Sequence, residues 1–271
     1  MRSAIAHGDL SAEHLEELRA AKARLEATPF LIKVANAAGQ PLERSVAALP
    51  PGARDTVLAA TRAALDRGLD WAVATMGTTK GARARPWLHT TVATASGGVG
   101  GALGWSALAA ELPFSTLVML RSIAAIAQEQ GEDPASPEVR LQCLAVLSYG
   151  GPRADDDAAE TTYYATRTAL AGTLQRAATH LATAVRGGSA PKAARVVVAF
   201  VSKVAARFGL VVQEKAIAQA IPIAGALGGA TLNHLFIGHF QQIALGHFTV
   251  RRLERIYGEA VVREAYERPG S

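Results

Sequence analysis

The sequence has one cysteine, Cys143, few aromatic residues (6%) and long stretches with no charge at all. A lone cysteine excludes an internal disulfide and a multi-cysteine zinc site, and it fits a reducing compartment. Few segments alternate polar and apolar residues with period two, and no NG or DG pair separates two such segments. A β-sheet is therefore not expected. The first stretch, MRSAIAHGDLSAEHLEEL, lacks the apolar core of a secretory signal, and no lipidation motif is visible at either end. Basic residues do not gather with aromatics in one block, so nucleic acid is not an expected partner. Catalytic and cofactor signatures are missing too. Lys80 in the glycine-containing segment 77–86 is followed by Gly81, where a phosphate-binding loop needs Ser or Thr. Gly104-Trp105-Ser106-Ala107-Leu108 lacks the closing glycine of a nucleophile elbow, and HExxH is absent. No cofactor is expected.

What is present is a helical pattern. The 271 residues carry a net charge of +5, with a sequence pI near 9.6. Abundant Ala, Leu, Val and Gly suit close-packed helices. The longest chargeless stretch is 216–250, AIAQAIPIAGALGGATLNHLFIGHFQQIALGHFTV, closed by Arg251-Arg252. Such a run must be buried, in a protein core or in a bilayer. Its Asn233, His234, His239, Gln241, Gln242 and His247 then need partners. A second chargeless run covers 87–110. Both contain a glycine-rich segment, 97–104 and 225–230, of the kind that lets helix backbones approach closely. Dilution by Gly, Ser, Thr, His, Asn and Gln, with Pro222 in the second run, favours buried hairpins over membrane spans.

The chain reads as all-α, a multi-helix bundle with two Gly-rich, uncharged central helical hairpins. Ser11 is the expected N-cap of a helix through Ala27. A second helix is expected from Asp55 to Met76, a third from Pro113 to a stop at Gly131, and a fourth from Pro137 to Ser148. Asp155-Asp156-Asp157 suits the N-terminus of a helix over 158–185. A further helix begins at Pro191 and is expected to end near Gly209. A basic amphipathic tail helix runs from Arg251 to Glu267, interrupted at Gly258. The division follows as an N-terminal cap (1–76), a linker (77–86) and a main domain (87–268), or one continuous domain over 11–268.

Three blocks carry a family resemblance: GGVGGALGWSALAAELPFSTLVMLRSIAAIAQEQGEDPASPEVRLQCLAVLSYGG (97–151), DDDAAETTYYATRTALA (155–171) and ARFGLVVQEKAIAQAIPIAGALGGATLNHLFIGHFQQIALGHFTVRRLERIYG (206–258). With these blocks the chain resembles the EcsC protein family. The resemblance implies a largely helical domain and, through the family's gene neighbourhood beside an ABC-type transport system, a bacterial protein associated with membranes or transport. It implies no particular reaction.

The polar residues inside the apolar blocks are the candidate sites. Glu111 and Arg121 are expected to pair in the interior. Tyr163, Tyr164 and Arg167 share helical spacing that sets a guanidinium against a ring. On one continuous helix, Asn233 and His247 project within about 40° of each other, and His239 points elsewhere. Asn233, Gln242, His247, Tyr163 and Arg167 are expected in a structural polar core. His239 and His247 could serve a metal only with donors such as Glu111 or Asp156, and no metal is expected. The first functional expectation is a non-enzymatic, cytoplasmic helical protein at the inner face of the plasma membrane. It would meet anionic lipid or a membrane partner through Arg251, Arg252, Arg255 and Lys203. The alternative is a soluble, hydrolase-like enzyme whose Glu111, Arg121, Asp156 and His239 meet in one pocket.

Overall fold

The fold is described from a computed structural model, which defines residues 10–27, 30, 34, 53–74, 108–150, 162–187, 195–220 and 224–268. The described residues form eight helices: α1 (Ala12–Leu25), α2 (Ala53–Ala74), α3 (Leu108–Glu129), α4 (Pro137–Tyr149), α5 (Thr162–Gly187), α6 (Arg195–Ala220), α7 (Ala224–Tyr257) and α8 (Glu259–Glu267). No strand occurs among them. The Ser11 hydroxyl caps α1 by accepting from the His14 backbone N–H at 3.2 Å. Pro137 starts α4 behind Ser136, as its fixed φ favours. Gly131, at φ 78°, turns the chain out of α3 in the left-handed conformation that favours glycine.

Three helix limits differ from the sequence pattern. α3 begins at Leu108 and takes Pro113 inside it, so proline there follows a turn of helix rather than starting one. α6 runs through Gly209 to Ala220, because the site is buried against α2: a Cβ on Gly209 would lie 3.9 Å from Thr61 Cγ2. The chargeless stretch and the basic tail form a single 34-residue helix, α7, about 51 Å long. That helix breaks at Gly258, as expected, where φ is 90°.

α7 is the axis of the fold, packing against α1, α3, α4, α6 and α8. Phe236 and Phe240 meet edge to face with ring centroids 5.3 Å apart, and Phe30 and Phe208 pack on them from either side. Every residue of α4 from Val139 to Tyr149 is buried. A helix apolar or sheltered all round belongs at the centre of a bundle, and α4 lies against α2, α3, α5, α6 and α7. Cys143 lies on it with no exposure, and burial pushes its thiol up to about 12, so it stays a protonated core group. α1 and α2 add Leu18, Ala21, Val57 and Leu65 to the same core as the later helices. The linker expected at 77–86 and the Gly-rich run at 97–104 lie outside the described residues.

The crossing of α1 and α7 depends on Gly246. A Cβ there would fall 2.8 Å from Leu25 Cγ and 2.9 Å from the Ala21 backbone oxygen. A backbone oxygen cannot rotate away, so the helices must separate. Gly246→Ala is expected to lower stability by about 1–3 kcal/mol, the usual range for overpacking. Urea unfolding of the variant beside the wild type measures it.

Candidate functional site

Two buried polar clusters lie along α7. In the first, the Lys215 ammonium on α6 donates to Glu111 Oε1 at 2.6 Å and to Asn233 Oδ1 at 3.0 Å. It also sits 4.6 Å from the centroid of the Phe236 ring. The Lys215 side chain has no exposure and that of Glu111 only 6%. Burial pushes the ammonium down from its ordinary value, and the facing Glu111 carboxylate opposes that shift. The partner of Glu111 is therefore Lys215 and not Arg121, which is exposed on α3. The reason is helical phase and rise. Ten residues carry Arg121 about 15 Å along α3 from Glu111 and turn it outward.

The second cluster surrounds His247. Tyr163 Oη donates to His247 Nδ1 at 2.8 Å, and His247 Nε2 donates to Gln142 Oε1 at 3.2 Å. These partners suit the neutral ring with its proton on Nε2. Burial, then the charges of Arg167 and Arg251, push His247 well below its ordinary value. Four of the five tyrosines gather here. Tyr149 lies 4.9 Å from His247 ring to ring, Tyr163 is 5.0 Å from Tyr164, and Tyr266 is 5.0 Å from Tyr164. Arg167 closes the cluster with a two-pronged pair to Glu254, at 2.6 and 2.7 Å, and lies 5.8 Å from the Tyr164 ring. Asn233 and His247 do share a side of α7. Fourteen residues nevertheless separate them by about 21 Å of helix, so each serves its own layer.

The remaining candidates are dispersed. His239 Nε2 donates to the Gly150 carbonyl at 3.0 Å, beside Phe30 and Phe240. Gln242 is exposed rather than in the polar core, because it faces α1, where Arg24 Nε donates to it at 3.2 Å. Asp156 lies outside the described residues. Glu111 bonds to Lys215, His239 to the Gly150 carbonyl, and Arg121 is exposed; among the described residues no three His, Cys, Asp or Glu side chains are grouped to hold a metal.

The arginines expected to meet lipid are held in ion pairs. Arg251 binds Glu132 at 2.7 Å and Glu138 at 3.1 Å, Arg255 pairs with Glu132, and Arg252 pairs with Glu17. These bonds tie α7 to α1, to the turn between α3 and α4 and to the first turn of α4. Lys203 remains exposed on α6 and donates to the Ala169 carbonyl at 2.8 Å.

α6 differs from the other helices. Its segment Arg195–Ala218 is, among the described residues, the one helix long and apolar enough to cross a membrane, with mean hydropathy 1.7 and 39% of that window buried. A core helix of a soluble protein can meet the same test. Two of its large apolar side chains are nonetheless exposed, Val198 at 50% and Leu210 at 43%. Between α6 and α2 lies a groove of about 430 Å³, with Leu65 and Leu69 on one wall and Val198, Val201 and Ala205 on the other.

The EcsC protein family model matches residues 12–253, most of the chain. The chain belongs to the EcsC protein family. No curated protein and no solved structure shows a match to it. In this EcsC chain the matched span includes the whole Lys215 cluster, both walls of the groove and the His247 cluster except Glu254 and Tyr266. Sequence reasoning singled out Asn233, His247, Tyr163 and Arg167 but missed Gln142, Glu254 and Glu132. Glu254 is seven residues beyond His247, and Arg167 is four beyond Tyr163. Those spacings put each pair on one helix face; the signal was present for a reader who knew that α5 and α7 face each other.

Proposed function

We propose that this EcsC-family protein acts without catalysis at an anionic membrane surface, which it meets through the outward face of α6. The observation that carries this reading is the composition of that face. Val198, Ala199, Ser202, Ala206 and Leu210 are exposed on it with Arg195 and Lys203; α6 brings no carboxylate of its own to that face, and Asp66 of α2 stands at its border in the groove. Apolar groups beside cations suit the boundary between head groups and acyl chains. Arg251, Arg252 and Arg255 contribute little, since their charges are already matched by Glu132, Glu138 and Glu17. The interior clusters keep their polar groups engaged with one another, which suits a structural role. The protein would work from the cytoplasmic face, with α6 laid in the interface rather than across it.

The test is sedimentation with vesicles of phosphatidylglycerol and, separately, of phosphatidylcholine. Binding is expected to the anionic vesicles and to fall with added salt. Leu210→Glu combined with Lys203→Glu alters only exposed positions. It is expected to weaken binding by about tenfold or more, from one lost apolar contact, one added negative charge and one reversed charge. A wild-type protein that stays in the supernatant with both vesicle types would overturn the reading.

A further inference from the structure

We infer that the groove between α2 and α6 holds a single hydrocarbon chain of a lipid, and that Arg62 and Asp66 on its wall receive a zwitterionic head group. This rests on the membrane-surface reading for the source of the ligand. The lining extends over Thr61–Leu69 on α2 and Val198–Ala206 on α6, about 12 Å of each helix. A methylene takes about the space of a water molecule, roughly 30 Å³, so a groove of 430 Å³ accepts about 14 of them. One acyl chain fits that space.

Polarity supports the same occupant. The Thr61 hydroxyl donates its proton to the Val57 carbonyl at 2.7 Å, so the bottom of the groove offers no spare hydrogen-bond donor from α2 there. Arg62 and Asp66, both exposed, are the two charged residues of the lining. No ion pair ties either to another described residue. Their order along α2, cation before anion, is the poorer one for an i, i+4 pair. They therefore stand as one positive and one negative site a helical turn apart. That complements a phosphate linked to an ammonium, and it disfavours a head group of net negative charge.

The full-length protein is titrated with lysophosphatidylethanolamine below its micelle concentration, and with lysophosphatidylglycerol of the same chain length. Native mass spectrometry counts the bound lipid and displacement of a fluorescent fatty acid gives affinity. One lysophosphatidylethanolamine per chain is expected, bound more tightly than the anionic lysolipid. Ala205→Phe places a ring in the groove from a half-buried position that is not part of the exposed face of α6. It is expected to weaken binding at least about tenfold, the cost of two displaced methylenes, while sedimentation with phosphatidylglycerol vesicles stays unchanged. Wild-type affinity in Ala205→Phe, or uptake of many lipids without saturation, overturns the groove assignment. Equal or tighter binding of the anionic lysolipid overturns the head-group assignment. Loss of vesicle binding by the wild type strikes the membrane reading instead, and the lysolipid titration separates the two failures because it needs no bilayer.

Discussion

Lys215→Met is expected to destabilise the protein by about 3–5 kcal/mol, the range for removing one partner of a buried ion pair. Methionine nearly matches the lysine stem, so little volume is lost. The cost arises at Glu111, whose carboxylate keeps 6% exposure and loses a 2.6 Å bond from the ammonium. Asn233 loses its 3.0 Å bond as well. Replacing both charges, Glu111→Leu with Lys215→Met, is expected to recover much of the loss, because apolar pairs of similar size replace buried ion pairs at little cost. The check is a double-mutant cycle by urea unfolding. A single variant within about 1 kcal/mol of wild type would show that the pair does not hold α3, α6 and α7 together.

Acid is expected to loosen the fold through His247. Its folded value lies well below the 6.5 of a free histidine. The unfolded chain therefore takes up the proton first as pH falls. Stability from this group is complete above about pH 6.5 and declines below it, by up to about 1.4 kcal/mol per pH unit until the folded ring itself titrates. Protonation would set a cation between Arg167 and Arg251 and remove the lone pair that accepts from Tyr163. Urea midpoints at pH 7.5, 6.5, 5.5 and 4.5 give the slope. His247→Gln removes the titrating group, and its slope is expected to be shallower over the same range. Equal slopes in the two proteins would place the acid sensitivity elsewhere.

Helix content was legible in the sequence because its signals are local. Ser11, Pro137, Gly131 and Gly258 act on their own neighbours, and they mark the ends observed. The exceptions are Pro113 and Gly209, residues that usually punctuate helices but lie inside α3 and α6. For Gly209, contact with Thr61 on another helix outweighs weak helix propensity. The burial of most of α7 between Leu232 and Val250 was legible too, since so long a chargeless run could not face water all round, although Thr231, His234 and Gln242 of that run are exposed.

Pairing was not legible. Glu111 has several cations it could reach, and only the packing of α3 against α7 and α6 beside it selects Lys215, 104 residues away. The arginines at 251, 252 and 255 read as a basic surface in sequence, yet their carboxylates come from residues 17, 132 and 138. The groove was invisible for the same reason, as its walls are about 130 residues apart and neither is distinctive alone. The exposed face of α6 could have been suspected from Val198 and Leu210, but an apolar helix gives no sign of which side is covered until its neighbours are placed.

The most direct test of the membrane-surface account is fractionation of the full-length protein from its own cells, with the membrane pellet washed first in high salt and then in alkaline carbonate. The account predicts that the protein sediments with membranes at low salt and is released by these washes, as cations and two exposed apolar side chains on α6 would allow. Protein found wholly in the supernatant from the start would contradict surface binding. Protein retained through both washes would contradict a helix lying in the interface and require one that crosses.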